Sequence, residues 1–249
     1  MKPYDKKFAF EKMKNYNKLI NESSVGNYKI IKKLYKDEYL QGYMYENNKK
    51  YNVPVAQLIN GEESLMRLSP KEIEGAYEAI NFAYGRVGIV GLGLGYVAQE
   101  MAKKDKVTEV IVYEISSEVI ELYKKNFKEN KKIKIINCDA FKAKSEKFDF
   151  FYCDIYEYKL SMKVVEDYKK FNELHEIEEY SFWGLEHFLL SCSYEDIIWV
   201  YIPEMWISMS KKCYEALNSS GYIKTYKPLD ENLVKEVLAA FKEILNEGM

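Results

Sequence analysis

Val87-Gly88-Ile89-Val90-Gly91-Leu92-Gly93-Leu94-Gly95, followed by Tyr96-Val97-Ala98-Gln99-Glu100-Met101-Ala102, is the stretch on which the reading of this chain turns. An apolar run with no alternation suits a parallel strand buried on both faces. Glycines then allow a tight turn and close approach of the backbone before a helix begins. Between Arg86 and Glu157 three further apolar runs follow, each ending on an acidic residue. The pattern predicts a doubly wound α/β sheet, with one nucleoside-binding half at the carboxyl ends of its strands.

The second run, Val110-Ile111-Val112-Tyr113, ends on Glu114, about 20 residues beyond Gly95, the distance at which a strand-end carboxylate accepts hydrogen bonds from ribose hydroxyls. Ser116 follows as a helix N-cap, with Val119, Ile120, Tyr123 and Phe127 on the inward face. The third run, Ile133 to Cys138, ends on Asp139. A carboxylate there can accept from an adenine amino group, whereas the dinucleotide fingerprint places no acid at that point. This favours S-adenosylmethionine over NAD(P), although Gly93-x-Gly95-x-x-Ala98 alone also fits an NADP-type turn. The fourth run, Phe148 to Cys153, ends on Asp154-Ile155-Tyr156-Glu157, beside the switch point where ligands collect.

Taken together, Gly91-Leu-Gly-Leu-Gly95, Tyr113-Glu-Ile-Ser-Ser-Glu-Val-Ile120, Asn137-Cys-Asp-Ala140 and Phe148-Asp-Phe-Phe-Tyr-Cys-Asp154 resemble the core of class I S-adenosylmethionine-dependent methyltransferases, and within it the spermidine synthase-like branch. The resemblance implies that Gly91, Gly93 and Gly95 hold the amino-acid end of the cofactor, Glu114 the ribose and Asp139 the adenine amine. It also implies that Asp154 and Glu157 act as catalytic and acceptor-binding residues, matching an Asp-x-x-Asp pair with Glu in the second position. Where that branch carries Tyr-His or Tyr-Gln before the first strand, this sequence reads Ser69-Pro70-Lys71-Glu72. Methyl transfer to a small amine- or hydroxyl-bearing metabolite is therefore the expected activity. Aminopropyl transfer from decarboxylated S-adenosylmethionine is the alternative, and a noncatalytic cofactor-binding module is the third.

Working outward, residues 1–68 alternate in pieces such as Tyr28-Lys-Ile-Ile, Tyr39-Leu-Gln-Gly-Tyr-Met-Tyr and Val53-Pro-Val-Ala-Gln-Leu-Ile, predicting a small β-rich lobe behind a helix over Phe8 to Ile20. The domain of residues 69–249 begins with Ser69 as N-cap, Pro70 at N1 and Glu72 closing a capping box. Ile73, Ala76, Tyr77, Ile80 and Ala83 would form that helix's buried stripe. Residues 159–216 read as a helical insertion over the acceptor site, holding His175 and His187 as candidate general bases and Tyr180 and Trp183 as candidate substrate contacts. Tyr222-Ile-Lys-Thr-Tyr226 reads as the fifth strand of a sheet ordered 3-2-1-4-5, followed by a helix from Asp230.

At 249 residues and 47% apolar content, the chain can bury a large core. No apolar run approaches the ~20 residues of a membrane span. A cytoplasmic enzyme with no membrane partner is expected, with homo-oligomers formed through the N-terminal lobe. Cys138, Cys153, Cys192 and Cys213 show no metal-type spacing, so no metal site is expected. A net charge of −2 and only two arginines, Arg67 and Arg86, argue against a nucleic-acid partner and for a small-molecule substrate.

Overall fold

A computed structural model describes residues 2–5, 7–35, 40–47, 50–157 and 159–247. Helix α1 (Phe8–Leu19) turns Ala9, Met13 and Tyr16 inward and leads into an antiparallel sheet of β1 (Ser23–Val25), β2 (Tyr28–Lys33), β3 (Val55–Asn60) and β4 (Glu63–Arg67), paired in chain order. Of the Tyr39–Tyr45 run, Tyr39 lies outside the described residues, and Tyr45 makes only an isolated bridge to Tyr226.

Two short helices follow, α2 (Pro70–Gly75) and α3 (Tyr77–Phe82), where the apolar stripe predicts one. They join at Ala76, and Ser69 makes no side-chain cap, so the expected capping box does not form. Glu72, its intended partner, is drawn into the interior at 3% exposure.

The main sheet comprises β5 (Gly85–Val90), β6 (Val107–Glu114), β7 (Ile133–Asn137), β8 (Lys147–Cys153) and β9 (Glu176–Phe182). All neighbours are parallel and the order is β7-β6-β5-β8-β9, which is the expected 3-2-1-4-5 arrangement. Helix α4 (Tyr96–Ala102) joins β5 to β6, and α5 (Ser117–Asn126) joins β6 to β7. Ser116 caps α5 as the sequence implies, its hydroxyl accepting from the Val119 amide at 3.2 Å.

The fifth strand is not where the sequence places it. The expected helical insertion contains α6 (Lys163–Leu174) and then β9, which closes the sheet. Tyr222–Thr225, taken as that strand, is a 3-10 turn after Gly221, and the Tyr222 ring stacks on Tyr45 at 3.9 Å. Four helices complete the chain: α7 (Leu185–Ser191), α8 (Tyr194–Ile197), α9 (Glu204–Ser219) and α10 (Glu231–Leu245). Trp206 on α9 is fully buried and donates its indole N–H to the Tyr180 carbonyl of β9 at 2.6 Å.

One apolar cluster runs through both sheets, from Met13 and Val55 to Phe151 and Phe241. Among the described residues no helix is long and apolar enough to cross a membrane.

Candidate functional site

The register of the parallel strands brings Val90 level with Tyr113 and Cys153, and Glu114 level with Asn137. The acidic strand ends and the glycine loop therefore share one edge of the sheet. Gly91 and Gly95 both have positive φ, at 95° and 78°. A Cβ at Gly91 would lie 2.5 Å from the Asp154 carbonyl oxygen, and one at Gly95 would lie 2.6 Å from the Tyr123 ring. Only glycine permits the turn to pass this close to its neighbours.

Glu114 ties the loops together. Its carboxylate accepts from the Leu92 amide at 2.9 Å, between Gly91 and Gly93, and from the Ser116 amide at 2.8 Å. It is 9% exposed. Each carboxylate oxygen keeps accepting capacity beyond one such bond, enough for a ligand hydroxyl. Asp139 caps the 3-10 turn Ala140–Lys142 by accepting from the Phe141 amide at 3.1 Å, and its other oxygen faces the Lys142 ammonium at 3.4 Å. Between them the Asn137 side chain donates to the Glu114 and Ile115 carbonyls at 2.9 and 3.0 Å. Ile115 itself is 73% exposed, an apolar face on an otherwise polar rim.

Met66 was not foreseen. Its sulfur, carried on β4, accepts from the Leu94 amide at 3.1 Å, and a Cβ at Gly93 would meet it at 2.4 Å. The N-terminal sheet thus rests on the glycine loop. No local sequence signal marks this contact, because it joins segments far apart in the chain.

On the other side of β5, the Asp154 amide donates to the Val90 carbonyl at 2.9 Å, which fixes the strand end. The Asp154 carboxylate is half-buried and accepts no hydrogen bond from the described residues. Burial pushes its pKa up to about 7. Glu157 is exposed and lines a cleft of about 100 Å³ together with Lys71, Tyr156, Leu160, Trp183 and His187. Asp154 is not part of that lining, so the two acids of the sequence motif face separate surroundings.

His187 shares a 2.7 Å hydrogen bond with the Lys227 carbonyl through Nε2. A carbonyl only accepts, so the proton sits on Nε2 and Nδ1 keeps its lone pair. Burial lowers the imidazole pKa to about 4, which keeps the ring neutral at pH 7. His175 lies elsewhere. It is packed among Tyr113, Phe148 and Phe171, and its Nδ1 accepts from the Glu146 amide at 3.2 Å. Tyr180 is a buried strand residue, whereas Trp183 reaches the cleft. Among the described residues no group of three or more His, Cys, Asp or Glu could hold a metal ion.

The family model of the methyltransferase small domain matches residues 79–154, from within α3 to the acid at the end of β8. Over this segment the chain is similar to the methyltransferase small domain, a similarity that supports a transferase using S-adenosylmethionine. No curated protein matches the chain. Among solved structures, a ribosomal protein L11 methylase from Lactobacillus delbrueckii subsp. bulgaricus is similar at 15% identity and TM-score 0.37, over 61% of this chain and 69% of that one. The 23S rRNA methyltransferase ErmE gives 20% identity and TM-score 0.36, over 43% of each chain. A putative RNA methyltransferase from Pyrococcus horikoshii gives 19% and 0.32, over 38% of this chain and 48% of that one. The chain thus spans less than half the length of the last two.

Proposed function

We propose that the chain is an S-adenosylmethionine-dependent methyltransferase acting on a small amine- or hydroxyl-bearing metabolite. The observation that carries the proposal is the Asp154 carboxylate, free of hydrogen bonds from the described residues and raised to about pH 7, directly behind a glycine turn that Glu114 holds open. In this reading Gly91, Gly93 and Gly95 seat the amino-acid end of the cofactor, Glu114 accepts from the ribose, Ile115 offers an apolar face to the adenine and Asp139 accepts from its amine. The spare accepting capacity of Glu114 and the cradle that a Cβ would fill fit such a ligand.

The bound cofactor would supply an electrophilic methyl carbon on a sulfonium. The protein's contribution is placement and proton handling. Asp154 would orient the acceptor and hold the proton it sheds when the methyl carbon passes to it and the carbon–sulfur bond of the cofactor breaks. Glu157, at the mouth of the cleft, attracts a cationic amine. Trp183 and Leu160 give that cleft an apolar wall beside Glu157. A net charge of −2 and the scarcity of arginine favour a small acceptor over nucleic acid. Homo-oligomers formed through the N-terminal sheet and a cytoplasmic location belong to the same proposal.

Aminopropyl transfer, as in the spermidine synthase-like branch, is the second reading, favoured by the interval between Asp154 and Glu157. Against it stands the segment Ser69-Pro70-Lys71-Glu72, where that branch carries Tyr-His or Tyr-Gln. Calorimetric titration with S-adenosylmethionine, its decarboxylated form and NADPH separates the readings, followed by an amine and alcohol screen. Release of S-adenosylhomocysteine supports methyl transfer, and release of methylthioadenosine supports aminopropyl transfer. Binding of NADPH alone overturns both.

Two further expectations concern the cofactor. Glu114→Ala should weaken S-adenosylhomocysteine binding by about 1–3 kcal/mol, since charge-assisted bonds to the ribose are lost and the Leu92 amide is released. Unchanged affinity in a folded variant would remove the ribose assignment. Asp139→Ala should narrow the preference for adenosine over inosine analogues, because inosine has no exocyclic amine to donate. Competition binding with the two nucleosides reads this directly, and equal discrimination before and after the substitution counts against the role.

A further inference from the structure

The flank of α4 facing α1 and α3 holds a second cavity, of about 290 Å³, lined by Lys2, Lys12, Lys103 and Lys104 together with the Phe8 and Tyr77 rings and the Glu100 carboxylate. Its size is at the lower end of small-ligand sites, about 300 Å³. Four ammonium groups meet there against one acid. Glu100 is already engaged: it accepts from Lys12, from Lys103 at 2.5 Å and from the Tyr16 hydroxyl at 2.8 Å. Lys104 donates to the Ile80 and Asn81 carbonyls, which engages two of its three N–H groups without cancelling its charge. Lys2 has no acidic partner among the described residues, and its ammonium lies 5.7 Å from the Phe8 ring centroid, as does that of Lys12.

We propose that this cavity is a ligand site for a small organic phosphate, separate from the cofactor site. Like charges gathered around a half-open cavity repel, and a dianion whose three terminal oxygens can each accept from an ammonium relieves the repulsion. The floor suits an apolar body: Phe8 and Tyr77 meet edge to face at 5.2 Å. Burial and the neighbouring Lys106 lower the pKa of Lys104 to about 8, which leaves it mainly protonated at pH 7. The cavity runs along one flank of α4, from the Tyr96 side chain to Lys103 and Lys104 past its carboxyl-terminal end, whereas the glycine loop precedes the helix.

Calorimetric titration of the full chain with phenyl phosphate, in saturating S-adenosylhomocysteine, tests the site. Binding in the millimolar range or tighter is expected. Lys2→Gln with Lys103→Gln should weaken it about tenfold or more, and Lys2→Gln alone, at an exposed position, should weaken it measurably with an unchanged melting temperature. Phe8→Leu should weaken phenyl phosphate more than inorganic phosphate. Absence of binding, affinity unaltered in either lysine variant, or displacement by S-adenosylhomocysteine would each overturn the assignment. Equal affinity for inorganic sulfate and phenyl phosphate would also overturn it, since that reports general attraction to lysines.

Discussion

Asp154→Asn lowers turnover by about 100-fold or more while cofactor affinity stays unchanged, the result expected when a positioned proton acceptor is lost and the ligand cradle is kept. The pH profile should carry the same signature. With its pKa raised to about 7 by burial, the Asp154 carboxyl is protonated below that value and can neither take a proton nor hold a cation. The wild-type rate should therefore rise as pH passes about 7, and the residual rate of the variant should lose that step. Stability runs the opposite way. A carboxyl whose folded pKa exceeds its unfolded value favours the folded state at low pH, and that contribution is lost as pH rises through about 7. Asparagine mimics the protonated form, so the variant should gain stability relative to wild type at pH 8 and match it near pH 4. Denaturant titrations at the two values check the sign, and full activity in the variant would sink the mechanism.

Trp206→Ala should destabilise the protein by about 3–5 kcal/mol, the usual cost of deleting a fully buried aromatic side chain. The ring packs edge to face against Tyr168, Phe182 and Phe241, at centroid distances of 5.7, 5.8 and 5.3 Å, and its N–H holds the Tyr180 carbonyl. Trp206→Phe keeps much of that packing but leaves the carbonyl unpaired, and should cost about 1–3 kcal/mol. Urea unfolding followed by circular dichroism measures both. A loss below about 1 kcal/mol for the alanine variant would mean that α9 contributes little to holding β9 in place.

The central part of the fold is legible in the sequence because strands such as β5, β6 and β8 are covered on both faces and read as unbroken apolar runs. β9 lies at the rim of the sheet. Glu176, Ile177, Glu178 and Glu179 alternate between exposed and half-buried, so the segment looks like part of a charged helix. Tyr222 to Tyr226 has the composition of a strand, but Gly221 takes a positive φ of 80° and the aromatic stack on Tyr45 holds the chain in a turn. The same contrast applies at the site. The glycine loop, Glu114, Asp139 and Asp154 sit at strand ends, where spacing along the chain reports position in space. Met66 and Lys71 come from separate elements that only tertiary packing brings near this edge, and no local pattern announces them, whereas His187 stands out in the sequence only as a titratable residue of the insertion.

Among the described residues β9 pairs with β8 alone, which has a consequence for how the molecule behaves beside other copies of itself. A sheet that ends on an unpaired strand is a template for aggregation, since any extended segment can add to it. Here three glutamates in the first half of the strand set like charges against an incoming chain, and the Trp206 indole already occupies a carbonyl in the second half. Neutralising those glutamates is therefore expected to raise the tendency to associate through this strand while leaving the glycine loop and its acidic strand ends in place.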